Sequence, residues 1–557
     1  MFVKNRTMKL SHLISLFLLI SACNAFSQQL TWAKQFGQGG SQRIVSIAVD
    51  SEGNSYSLGH TDAVTTDINP GPGVYNLNNP GAQTGGGNVF LVKLDPEGIF
   101  LWGKKLSGYY ESTSGVKVVT DENDFIYVLM TSYPSPSVPG FILKKFNTDG
   151  AEILSQEMFD QDETSTNYIH AESFTVDASN IYVTGAFTNT VVFDEENPNF
   201  TISYEGPGTF VMKLNNSFDI LWVKTLTENQ SPAQQNEIAI STDGNIILSA
   251  PQMQMNEEET GYITTACLYK INSGDSSTMW TRYFEGQVFG TVEVMSGEIV
   301  IAGYFGNTID VDPSTAEHLL TPPEANSSNV YLLWLSEEGE FIDEVAYYFD
   351  WNNFMLTNIV KDYDSNYYFT GSFEYEYDVD PGPDEFILTP SQNESLVLKF
   401  DDDHLFVSAF DLGDSQVFYI NDSAILNDHI YFGGHFTAAD FSPAEGEYWL
   451  DTTYNGTTAS DGYIMKWNPS LPPLGTDNLK YYKEVIAYPN PVTDYLNIEL
   501  HDYSEKGSIK ISDTSGRILF TTSTKESVRL NMESFPSGIY FLEVGGKNGH
   551  KEKVVKY

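Results

Sequence analysis

The stretch Asn180-Ile-Tyr-Val-Thr-Gly-Ala-Phe187 is the phrase that this chain repeats. It returns as Asn54-Ser-Tyr-Ser-Leu-Gly-His60, Glu298-Ile-Val-Ile-Ala-Gly-Tyr-Phe305, Asn366-Tyr-Tyr-Phe-Thr-Gly-Ser-Phe373 and His429-Ile-Tyr-Phe-Gly-Gly-His-Phe436. Degenerate copies start at Phe125 and Asn245, with Met130 and Ala250 where the others hold Gly59, Gly185, Gly303, Gly371 and Gly434. The copies recur about every 62 residues. A period of that size marks a propeller or solenoid, whose units bury their faces against one another.

Each unit carries four strand-like phrases. The first is apolar and ends in an acidic turn, as in Ile44-Val-Ser-Ile-Ala-Val-Asp50, and the glycine phrase is the second. The third holds a lysine in register at Lys93, Lys145, Lys213, Lys270, Lys399 and Lys466, with Trp334 substituting once. The fourth carries tryptophan in one phase at Trp32, Trp102, Trp222 and Trp280. Apolar alternation broken by Asp-Gly and Asn-Gly turns predicts hairpin-connected antiparallel strands. Seven units of four strands predict an all-β fold, a seven-bladed β-propeller over 28–468. The phrase Leu30–Phe36 precedes the first complete unit, while the last unit stops after its lysine phrase. The N-terminal strand is therefore expected to complete the last blade and remove an exposed edge.

The units resemble the SBBP family of bacterial β-propeller repeats in their apolar-Asp-x-x-Gly-Asn-x-Tyr-x-x-Gly core and Phe-x-x-Lys-Leu-Asp strand. The likeness spans about residues 30–468 and implies the fold. It implies no particular activity, since one propeller scaffold carries enzymes, lectins and interaction platforms.

Between the second and third strands most units run into acidic turns: Asp67-Ile-Asn-Pro, Asp310-Val-Asp-Pro313, Asp378-Val-Asp-Pro-Gly-Pro-Asp384 and Asp440-Phe-Ser-Pro443, with Asp194-Glu-Glu-Asn a weaker version. Alternate carboxylates beside a rigid turn suit calcium, and Asp378, Asp380 and Asp384 form the best candidate set. The competing reading, that the aspartates cap their own turns, weighs more because nearly every unit repeats the device. No other metal and no cofactor is expected. His60 and His435 both follow the repeat glycine, in units that ring closure would make neighbours; that position varies elsewhere. No nucleophile elbow, HExxH, phosphate loop or paired-cysteine motif is present, so no catalytic residue is assigned.

Residues 1–27 read as an export signal, with Lys4, Arg6 and Lys9 ahead of the short apolar stretch 13–22. Cleavage after Ser27 competes with lipidation at Cys23 in Ile20-Ser-Ala-Cys23. On either reading the only other cysteine is Cys267, so no disulfide is expected. The formal charge is −46, yet residues 480–557 are balanced, with 11 basic and 10 acidic side chains. The acidity therefore belongs to the repeats, which excludes nucleic acid as a partner.

Residues 469–485 form a proline-rich linker, and 486–557 a compact β-patterned module, predicted as a small Ig-like antiparallel sandwich. The module resembles the type A C-terminal sorting domain of type IX (Por) secretion substrates. The match rests on Tyr488-Pro489-Asn490-Pro491, Asp494, the turn Asp513-x-x-Gly516, Ser537-Gly538-Ile539-Tyr540 and the closing Lys553-Val-Val-Lys556. The resemblance implies the type IX outer-membrane machinery as a partner, a Bacteroidota-type host and delivery outside the cell. The propeller itself is expected to be a non-enzymatic binding or adhesion module for a glycan or protein. The alternatives are an extracellular hydrolase or lyase acting on polysaccharide, and a structural surface-layer component.

Overall fold

The computed structural model describes residues 30–37, 40–78, 88–106, 114–132, 140–159, 167–194, 196–226, 236–255, 262–323, 329–348, 354–390, 393–412, 414–415, 418–441, 449–451 and 460–469. In the C-terminal unit it describes 485–488, 492, 495–500, 507–513, 517–524, 528–532, 534–545 and 550–556. The signal region, Cys23 and most of the linker lie outside these residues. The chain divides into two compact units between residues 474 and 475.

Among the described residues of the first unit, seven antiparallel sheets of four main strands follow one another, each in simple meander order. We call them blades 1 to 7. Their innermost strands are Gln42–Val49, Ser114–Thr120, Ile169–Val176, Glu237–Ile240, Gln287–Met295, Phe354–Lys361 and Phe418–Leu426. Blade 7 takes its outer strand from the start of the chain: Leu30–Phe36 pairs antiparallel with Asp461–Trp467, bringing Phe36 opposite Gly462. The only helical element among the described residues is the short turn Pro198–Phe200.

Side chains that recur in register bind each blade to the next. Lys93 Nζ and Trp102 Nε1 of blade 1 both donate to the Thr148 carbonyl of blade 2, at 3.1 and 3.0 Å. Lys213 and Trp222 of blade 3 share the Ser273 carbonyl of blade 4 in the same way. At the closure, Lys466 and Trp32 share the Pro96 carbonyl of blade 1. The register lysine of five blades also lies over the tyrosine of the glycine phrase, as Lys93 does over Tyr56. That tyrosine donates in turn to the aspartate of the first turn, as in Tyr56–Asp50 and Tyr368–Asp362. In blade 5 Trp334 replaces the lysine and stacks on His404 of blade 6, ring centroids 4.4 Å apart. Cys267 is buried in blade 4, and its thiol donates to the Thr265 carbonyl at 3.5 Å.

The repeat glycine answers a bulge in the innermost strand. Opposite Gly185, Gly371 and Gly434 the pairing skips one residue, at Glu172, Thr357 and Asn421. A Cβ at these glycines would stand 2.0, 1.8 and 1.8 Å from the carbonyl oxygens of His170, Met355 and Tyr419. No side chain fits there.

The second unit holds two antiparallel sheets. One joins Val485–Tyr488, Tyr495–Leu500 and Val528–Asn531; the other joins Ile518–Thr524, Gly507–Asp513, Gly538–Gly545 and His550–Lys556. Their apolar faces share one core around Leu496, Ile498, Ile509, Leu542 and Val554. One parallel bridge, Val492 to Lys556, departs from the purely antiparallel expectation and ties the end of the last strand to the start of the unit.

Candidate functional site

The acidic turns form small hairpins. Asp378 Oδ1 accepts from the backbone amides of Asp380 (3.2 Å) and Phe386 (2.8 Å), and Asp380 Oδ1 from Gly382 N (2.7 Å). Asp67 accepts from Asn69 and Tyr75, and Asp310 from Asp312 and His318, at the same two offsets. The residue after each aspartate (Ile68, Val311, Val379) is fully buried. At the weaker copy the buried residue is Phe193, one place earlier, so Asp194 instead caps Glu196. These carboxylates therefore serve the turn. Burial, with Asp378 and Asp384 nearby, holds the Asp380 carboxyl above the usual range. Among the described residues no group of three or more His, Cys, Asp or Glu is arranged to hold a metal ion.

The place where several blades converge is the axis of the ring. The residue just after the inner-strand bulge is polar in every blade: Ser46, Lys117, Ser173, Glu237, Thr291, Asn358 and Asp422, taking Glu237 as blade 4's counterpart because it pairs with Ser249, next to Ala250. Hydrogen bonds link part of this belt. Asp422 accepts from Ser46 Oγ (2.7 Å) and Ile47 N (2.9 Å) of blade 1 and from Asn358 Nδ2 (2.9 Å) of blade 6. Ser173 Oγ donates to Glu237 at 3.0 Å. Glu293 lies two residues further along blade 5, at a level where the other blades place Ala48, Val119, Thr175, Ala239, Val360 and Ala424.

Charge at the axis is costly and is tuned accordingly. Burial raises Glu293 to about 7 in spite of Lys117, with Glu237 and Asp422 adding to the rise. Burial likewise raises Glu237 and Asp422. Burial alone would lower Lys117, but Glu237, Glu293 and Asp422 together hold it above its ordinary value, so it stays an ammonium ion. Glu172, the bulge residue of blade 3, is raised by burial to about 7 although Asn236 N donates to it at 2.9 Å.

Above the belt, where the inner strands begin, blades 7 and 1 meet in a polar mouth. Arg43 is exposed and pairs across the sheet with His60. His435 stacks on Tyr419, centroids 5.0 Å apart, and its Nδ1 accepts from Asn421 Nδ2 at 3.3 Å. Burial, then the Arg43 guanidinium, lowers both histidines, His435 to about 4, so both rings are neutral near pH 7. The two histidines singled out in the sequence thus meet beside a shared arginine. Sequence reading passed over Arg43 and the belt: polar residues at one position of an apolar strand look like ordinary alternation until the bulge aligns them.

In the sorting unit, Asp513, Gly538 and Tyr540 line one open groove together with Arg517, Phe535 and Ile539. Tyr540 donates to the Pro536 carbonyl at 2.6 Å, and Lys553 and Lys556 pair with Phe541 and Gly538 on the last strand. Tyr488 closes the strand Val485–Tyr488. Pro489, Asn490, Pro491, Asp494 and Gly516 lie outside the described residues.

Comparison with known families agrees with both units. Residues 31–64 match a β-propeller repeat and residues 486–557 a secretion system C-terminal sorting domain. No curated protein matches the chain. Similar solved structures include the phage phi92 endosialidase (10% identity, TM-score 0.36, 88% of this chain and 74% of that one). Others are the Dos1 propeller (8%, 0.35, 79% and 96%) and the WD40 domain of SCAP from fission yeast (8%, 0.32, 78% and 98%). At such scores these likenesses say nothing of activity. With a β-propeller repeat at 31–64 and a sorting domain at 486–557, the chain is a β-propeller repeat protein sent to the cell exterior by the type IX secretion system.

Proposed function

We propose that the exported propeller is a non-enzymatic binding module that takes a glycan at the mouth between blades 7 and 1. The observation that carries this reading is Arg43. It is an exposed cation with no ion-pair partner among the described residues, flanked by the neutral rings of His60 and His435 and by Tyr419. A guanidinium offers five donors, neutral imidazoles both donate and accept, and an aromatic face packs on a sugar ring. Probing a glycan array with the purified propeller and its Arg43→Ala variant tests the reading. Binding by the parent that Arg43→Ala weakens at least tenfold is expected; an array blank for the parent overturns it.

A second reading, hydrolysis or elimination on polysaccharide, is favoured by Glu172 and Glu293, whose carboxyls titrate near 7, in the range suited to proton transfer. Shortened or unsaturated products after incubation with polysaccharide would support it over simple binding.

A further inference from the structure

Among the described residues, two charged groups at the axis have no hydrogen-bond or ion-pair partner. Asp422 is fully engaged and Glu237 is held by Ser173. Lys117 and Glu293, by contrast, make no hydrogen bond and no ion pair within 4.0 Å among the described residues, although each is half-buried on an innermost strand and feels the other's charge. They stand on the innermost strands of blades 2 and 5, Lys117 in the belt itself and Glu293 at the next level, where the other blades place Ala48, Val119, Thr175, Ala239, Val360 and Ala424, most of them small. An unpaired, half-buried ammonium and an unpaired, half-buried carboxyl leave donors and acceptors that a polar group on the axis can take up.

The charge balance selects what that is. An anionic group would gain Lys117 but face Glu172, Glu237, Glu293 and Asp422; a cationic group would gain the carboxylates but face Lys117. A hydroxyl suits both sides, because it accepts from the ammonium and donates to the carboxylate. We propose that the axis beneath the mouth is a second subsite, in which vicinal hydroxyls of an uncharged terminal sugar bridge Lys117 Nζ and the Glu293 carboxyl. This proposal rests on the glycan reading of the mouth and adds that the ligand enters by its end. Arg43 lies three residues before Ser46 on the strand Gln42–Val49, so a ligand that enters from the mouth meets the belt end-on, and the middle of a chain cannot present its hydroxyls there.

The test uses the full exported chain with Lys117→Met and Glu293→Gln, each checked by thermal melting. The probes are cellohexaose, laminarihexaose, maltohexaose and chitohexaose, immobilised by the reducing end so that the opposite terminus is free. The same oligosaccharides with that terminal sugar O-methylated serve as blocked partners. For whichever probe the parent binds, each variant is expected to weaken binding roughly 10- to 100-fold, the range for a hydrogen bond to a charged group. Blocking the terminus is expected to do the same to the parent. Binding that Arg43→Ala abolishes but that Lys117→Met, Glu293→Gln and end-blocking leave unchanged overturns the axial subsite and leaves the mouth reading standing. Should Lys117→Met fail to fold, the isosteric Glu293→Gln and the blocked probes on the parent still decide. No binding of any probe by the parent, with an array blank as well, overturns both.

Discussion

Aspartate does two jobs at the residue scale, and both are local. At the first turn of each unit Asp50, Asp177 and Asp362 gather nearby amides and accept from a tyrosine hydroxyl two places beyond the following asparagine. In the hairpins Asp67, Asp310 and Asp378 each accept two amides, two and eight residues on. Asp378→Ala should therefore lower stability by about 1 kcal/mol, while Asp378→Asn, which keeps the acceptor, should lower it less, as read by denaturant unfolding. The capping role also predicts little response to calcium in melting. A rise in Tm with calcium that the Asn variant at 378, 380 and 384 loses would make those residues a cation site instead.

Glu293 gives a pH prediction. Its folded carboxyl titrates near 7, above its unfolded value near 4.5, so between those values the native state binds more protons than the unfolded one. Its contribution is full below about pH 4.5 and is lost as pH rises through 7. Glu293→Gln removes this penalty. The variant should gain roughly 1–3 kcal/mol over the parent at pH 8 and little at pH 5. An equal effect at both values would show that Glu293 is not held protonated.

At the scale of elements, the structure depends on bulges and clamps. Inner-strand bulges bring one polar residue of six blades into a common belt, and opposite those of blades 3, 6 and 7 they leave room only for glycine. Outer strands are bulged too, at Leu101, Ile153, Leu221, Met279, Ile342 and Val407, all exposed apolar residues. Such bulges twist and interrupt the unpaired edge, which discourages pairing with another sheet. At the closure Trp32 and Lys466 share one acceptor, Pro96. Trp32→Phe and Lys466→Met should each cost about 1 kcal/mol, and the double variant more than the sum, since the second loss orphans the carbonyl. A strictly additive cycle would mean that the two side chains act separately. Deleting Leu30–Phe36 should be far worse, exposing the edge of Asp461–Trp467 and lowering Tm or solubility.

At the scale of the molecule, delivery and binding belong to separate units. The propeller has its own closed core, so removal of 486–557 should leave it folded, trapped in the periplasm of a host with type IX machinery. Residues 470–557, grafted onto a reporter bearing a signal peptide, should carry it to the cell surface. Fractionation and blotting read both results, and surface delivery of the truncated chain would sink the division of labour.

The repeat, its strands and the sorting unit were legible in the sequence because each depends on local pattern. Two-residue alternation, turn chemistry and a fixed period are written in neighbouring residues. Closure was legible too, since one orphan strand at the start matched one missing strand at the end. The lysine and tryptophan registers were visible, but their purpose was not: Lys93 and Trp102 meet on Thr148, a carbonyl of the next blade. The axial belt was hidden for the same reason. Ser46, Lys117, Glu237 and Asp422 come from sheets up to 376 residues apart, as in the Ser46–Asp422 hydrogen bond. Only closing the ring brings them together, and only burial at its centre lifts Glu293 to about 7. Local sequence determines which strands form, whereas the charge of a side chain at the axis is set by what the other blades place against it.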